Sequence, residues 1–184
     1  MGIAMSDPHN KSRYGEVWPR ERLDACLAAM RLVKDRVVVS GGWAWHFMTT
    51  ENHPEYKHLH DHKDVDLFTA PEDAYIVMEA FRSHEFRRTH TMHDQQRDFW
   101  RYEKGIEVDD HIVKVTIDLF IRAVPHIMVK GWKITPPEYL ITLYGTIHAN
   151  EGCFAKKAAE HIMAKGESPI DHPMMAKLLF LDKS

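Results

Sequence analysis

Residues 111–123, HIVKVTIDLFIRA, constrain the fold more than any other stretch of this chain. Val115, Ile117, Leu119 and Ile121 fall on one face of a strand, and Thr116, Asp118, Phe120 and Arg122 on the other, as a period of two demands. A chain carrying this segment must build a sheet with at least one face covered. It must also satisfy Asp118, because an acid in so apolar a strand is costly without a partner.

The remaining segments supply a sheet and its cover. RVVVS (36–40) reads as a buried strand, DVDLFTA (64–70) as another, and FRRTHTM (86–92) with RDFWRYEKG (97–105) as a hairpin or meander. HIMVKGWKI (126–134) reads as one further short strand. Helical spacing over 19–34 places Leu23, Cys26, Leu27, Met30 and Val33 on one stripe. GWAWHFMTT (42–50) is a short helix, and PEDAYIVMEAFRSH (71–84) is a helix with Pro71 at its first position. After residue 135 the pattern turns helical, over 136–150, 153–166 and 171–181. The expected fold class is α/β (α+β): a mixed sheet with helices packed on one side, followed by a helical C-terminal subdomain. The expected organisation is a flexible segment over 1–18, an α/β core over 19–134 and a helical subdomain over 135–184.

Composition narrows the function classes. The chain has 184 residues, long enough to bury a core without disulfides or a structural metal. A net charge of −3 does not advertise general nucleic-acid affinity, so nucleic acid is not the favoured partner. Two cysteines make no disulfide framework, and no apolar run approaches membrane-spanning length. A cytoplasmic setting without a membrane partner is expected.

Asp64 and Asp66 lie one residue apart on a strand, so both carboxylates point the same way while Val65 and Leu67 face the core. Two like charges side by side call for a cation, and Lys63 is aimed at the opposite face. A divalent metal suits the pair better, since two carboxylates with phosphate oxygens and water make a magnesium site, which Mn2+ can also fill. Asp118, placed beside that strand, completes a three-carboxylate cluster able to hold metal or to keep one carboxylate as a general base. Gly41-Gly42 follows a strand and opens a helix, which lets backbone N–H groups approach an anion, with the Ser40 hydroxyl beside them. No Walker pattern accompanies it.

Strand-Gly-Gly-helix (SGGWAW), strand-Asp-x-Asp (HKDVDLF) and a later strand with one acid (TIDLFI) stand in that order. The combination resembles the DNA polymerase β-like nucleotidyltransferase superfamily. Trp43 after the glycine pair and His62 before Asp64 are most similar to the small aminoglycoside and lincosamide nucleotidyltransferases. The resemblance spans residues 36–123. It implies that Ser40, Gly41, Gly42 and His62 contact a nucleoside triphosphate. It also implies that Asp64, Asp66 and Asp118 hold Mg2+ and serve catalysis. FAKKAAEHI (154–162) resembles the family's lysine-bearing helix, which implies phosphate contacts from Lys156 or Lys157. The implied reaction transfers a nucleoside monophosphate to a hydroxyl, with a small molecule as favoured acceptor and pyrophosphate as leaving group. Alternatives are the same chemistry on tRNA or a protein, including an antitoxin-type role, and a non-catalytic nucleotide- or partner-binding module of the same fold. The interval from Gly41 to Asp64 is longer than usual for the family, and Ala158 stands where an aspartate often follows the lysine.

Two other features carry less. His53, His58, His60 and His62 lack a settled ligand spacing for zinc. Arg87, Arg88, Arg97 and Arg101 read as a solvated strand face rather than a basic wall, and the aromatics of FWRY (99–102) as sheet packing.

Overall fold

The computed structural model describes residues 19–48, 64–91, 96–137, 139 and 140. The expected N-terminal segment up to residue 18, the histidine-bearing stretch with His62, and the C-terminal helices beyond residue 140, with Lys156 and Lys157, lie outside the described residues.

The chain is α+β, with one mixed seven-stranded sheet. Helix α1 (Arg20–Leu32) leads through a 3-10 turn into strand β1 (Val37–Val39), and helix α2 (Gly41–Met48) follows at once. Strand β2 (Val65–Thr69) and helix α3 (Ala74–Ser83) come next. Then come β3 (Arg87–Thr89), β4 (Phe99–Val108), β5 (His111–Ile121), β6 (Ile127–Val129) and β7 (Trp132–Ile134). The strand order is β3-β4-β5-β2-β1-β7-β6. The β2–β5 and β1–β7 pairs are parallel and the others antiparallel.

Alternation sorts the sheet into two unlike faces. Val37, Val39, Val65, Leu67, Val115, Ile117, Leu119 and Tyr102 join one apolar cluster with Cys26 and Met30 of α1, Trp43 of α2 and Val77 and Phe81 of α3. Burial in this cluster pushes the Cys26 thiol up to about 11, so it is an inert core residue at neutral pH. The other face carries Asp66, Phe68, Asp118, Phe120, Phe99 and Arg101. There Phe68 stacks on Phe120 at 5.0 Å, Phe120 packs on Phe99 at 5.2 Å, and Tyr139 meets Phe68 edge-on.

Three local expectations differ from what is seen. Helix α3 starts at Ala74 rather than at Pro71. Residues 71–73 form a turn in which Asp73 N–H donates to Ala70 O, and the Asp73 carboxylate pairs with Arg36 instead of capping the helix. Residues 126–134 are two strands and a turn, because Lys130 (φ 49°) and Gly131 (φ 77°) both take positive φ and reverse the chain. The β4–β5 hairpin turns on Asp109 and Asp110 in the same way (φ 47° and 62°), which extends β4 beyond residue 105. Among the described residues no helix is long and apolar enough to cross a membrane.

Candidate active site at the glycine elbow

The parallel pairing of β2 with β5 places Asp66 opposite Asp118, the second pair of a five-residue register from Val65–Ile117 to Thr69–Ile121. Adjacent strands lie about 4.8 Å apart, and facing residues share a side of the sheet. Two carboxylates from segments 52 residues apart are thus brought together on the face opposite the helices.

The glycine elbow meets this pair directly. Gly41 takes φ +59°, and a Cβ there would lie 2.0 Å from Asp66 Oδ2. Only glycine allows both the left-handed backbone and that approach. Ser40 N–H donates to Asp66 O at 2.8 Å, which locks the end of β1 to β2 beside the carboxylate. Ser40 itself is buried, and its Oγ accepts from Thr135 Oγ1 at 3.2 Å. Its hydroxyl therefore ties the elbow to the segment after β7, while its carbonyl accepts the Ala44 N–H of α2 at 3.2 Å. Gly42 follows, partly exposed, in the first turn of α2.

Replacing Gly41 by alanine is expected to cost about 1–2 kcal/mol for the left-handed backbone alone, before the Asp66 carboxylate is displaced. Chemical denaturation should show this loss, and Gly42→Ala, at a position with ordinary φ, should show less than half of it.

A positively charged side chain lies at the acids. Arg101 lies opposite Asp118 in the antiparallel β4–β5 pair. Its Nε donates to Asp118 Oδ1 and its Nη2 to Asp118 Oδ2, both at 2.6 Å. The same Nη2 lies 3.9 Å from Asp64 Oδ2. The hydrogen bond to Asp118 raises the Arg101 pKa further above its ordinary value, against the opposing effect of burial. Asp118 is only 6% exposed, so this fork is what makes a carboxylate tolerable in the strand. Arg22 of α1 is almost wholly buried and donates from Nε to Lys114 O at 2.8 Å. Arg22 and Asp64 both act electrostatically on Cys26, which puts them in one neighbourhood.

Arg22 does not stand out in the sequence, and Arg101, expected on a solvated strand face, is instead held on Asp118. Arg22 falls at the helical spacing of Cys26, a signal masked by its charge. Arg101 is recognised only once the β4–β5 register is known.

Among the described residues no group of three or more His, Cys, Asp or Glu side chains is gathered as a metal-ligand set. The donors nonetheless suit a hard divalent cation by type. Asp66 and Asp118 are carboxylate oxygen donors in register, and the Asp66 carboxylate packs into the space that the missing Gly41 side chain leaves. A cavity of about 150 Å3 lies elsewhere, lined by Arg36, Phe68, Asp73, Arg122, His126 and Lys133 among others. Its cations are engaged: Arg36 with Asp73, Arg122 with Asp98, and Lys133 with the Asp35 carbonyl.

No protein-family model and no curated protein matches the chain. Among solved structures it is similar to the crystal structure of JHP933 from Helicobacter pylori, with a TM-score of 0.56 at 13% sequence identity. The match covers 79% of this chain and 68% of that one. At this identity the likeness concerns the fold.

Proposed function

We propose that the protein is a Mg2+-dependent nucleotidyltransferase that moves a nucleoside monophosphate from a nucleoside triphosphate to a hydroxyl of a small-molecule acceptor. The observation that carries this reading is the register of Asp66 with Asp118 beside the Gly41 backbone. Two aligned carboxylates and a close-approaching glycine turn are what in-line phosphoryl chemistry needs from a protein: positioning and charge neutralisation. Bound Mg2+ would supply charge neutralisation at the phosphates. Asp64, Asp66 and Asp118 are its proposed ligands, with Asp118 also suited to take the acceptor's proton. Gly41 and Gly42 would bring backbone N–H groups to the triphosphate at the start of α2. Ser40 supports them through Asp66 and Thr135. His62, Lys156 and Lys157 remain proposed nucleotide contacts on the resemblance.

The same chemistry on tRNA or on a protein is the alternative within this class. A non-catalytic nucleotide-binding module is favoured by one observation, the closed Arg101–Asp118 fork. The deciding experiment incubates the full chain with labelled triphosphates, Mg2+ and a panel of hydroxyl acceptors, and follows pyrophosphate release. Release dependent on acceptor supports the transferase. Triphosphate binding without turnover across sugars, aminoglycosides, tRNA and protein supports the binding module instead.

A further inference from the structure

Arg101 is held in a way that makes it more than a structural ion pair. It meets Asp118 across the strands with two parallel N–H···O bonds, so the guanidinium plane occupies both carboxylate oxygens at once. Nη2 also reaches toward Asp64. A divalent cation drawn to Asp118 competes with this fork for the same oxygens and the same charge. The two partners differ in mobility: the Arg101 side chain is 24% exposed and the Asp118 side chain 9%. Arg101 can therefore swing on its long stem, whereas Asp118 is short and fixed by its strand. The neighbouring cations are committed, with Lys114 on Glu103 at 3.1 Å and Arg122 on Asp98 at 2.6 Å. A guanidinium fork fits a phosphate as well as it fits a carboxylate.

We infer that Arg101 is an exchangeable counter-ion: it holds Asp118 closed to metal until a triphosphate gives the guanidinium a second anion, and only then does Asp118 become a metal ligand. This regulation rests on the nucleotidyltransferase reading and deepens it. It couples metal and nucleotide, because neither partner of the fork is left as a bare buried charge at any stage.

The test uses manganese as the probe, followed by the loss of its free-ion electron paramagnetic resonance signal, on the full chain without nucleotide. Wild type, Arg101→Gln and Arg101→Lys are compared after circular dichroism shows each to be folded. Arg101→Lys keeps a charge for Asp118 and guards against a variant that fails to fold. If the fork is closed about nine-tenths of the time, opening it should tighten manganese binding about tenfold in Arg101→Gln, with Arg101→Lys between. Triphosphate affinity in excess Mg2+, measured by equilibrium dialysis, should move the other way and weaken about tenfold in Arg101→Gln. A merely structural pair would weaken both together.

Manganese affinity in both variants equal to or weaker than wild type overturns the exchange, while acceptor-dependent pyrophosphate release by wild type would leave the transferase standing. Tighter manganese binding in the variants without turnover by wild type supports the exchange and removes the transferase. No manganese uptake by any of the three overturns both.

Discussion

Asp66→Asn is expected to abolish acceptor-dependent pyrophosphate release while leaving the protein folded. Asparagine keeps the shape and one acceptor oxygen but loses the negative charge that a hard cation requires. A loss of about 3 kcal/mol in transition-state stabilisation is about a hundredfold in rate, and a metal-ligand change should cost at least that. The stability side has an independent physical reason. Asp66 faces Asp118 across the parallel pair, and like charges directly opposite are unfavourable. Relief of that repulsion offsets part of what the carboxylate's own contacts lose, so the fold is expected to be kept. The Ser40 N–H bond goes to the Asp66 carbonyl, so it survives the substitution. Steady-state pyrophosphate release and urea denaturation check the two halves. A residue kept for packing would show the reverse pattern, stability lost and turnover kept.

The acids themselves are marked by alternation within single strands. A period of two fixes which residues share a face of one strand. Asp64 and Asp66 were thus legible as a pair, and Asp118 as the odd acid of an apolar strand. Val65, Leu67, Ile117 and Leu119 are all fully buried on the face that alternation assigned to the core. What alternation does not give is register between strands. Arg101 read as part of a solvated face because its partner is 17 residues away, and nothing local marks the pairing. Turn chemistry failed in a similar way. Lys130-Gly131 and Asp109-Asp110 are not the Asn-Gly or Asp-Gly signals that announce a tight hairpin, yet all four residues adopt positive φ. Arg22 shows the limit of hydrophobic spacing. Its position on α1 is a core position, and its Nε donates to a backbone carbonyl of β5 that no sequence pattern reveals.

The second large effect concerns the fork itself, and the two single substitutions should not cost the same. Arg101→Met strands a carboxylate that is nearly inaccessible to water. Breaking a buried pair from one side typically costs about 3–5 kcal/mol, and the partial exposure of the guanidinium lowers the expectation to about 2–4 kcal/mol. Asp118→Leu removes the short partner instead. Arg101 can then turn toward Asp64, already 3.9 Å away, and to water, so about 1–2 kcal/mol is expected. The double variant replaces both charges with apolar groups beside Phe99 and Phe120 and should recover most of the loss, since a buried ion pair is weak evidence for stability in its own right. A coupling of about 2 kcal/mol or more in the denaturation cycle would establish that the fork forms in solution. Additive single effects would mean that Arg101 does not rest on Asp118. A pair that is strongly coupled yet dispensable to the fold is maintained for something other than stability, and the carboxylate it guards is the one aligned with Asp66 at the glycine elbow.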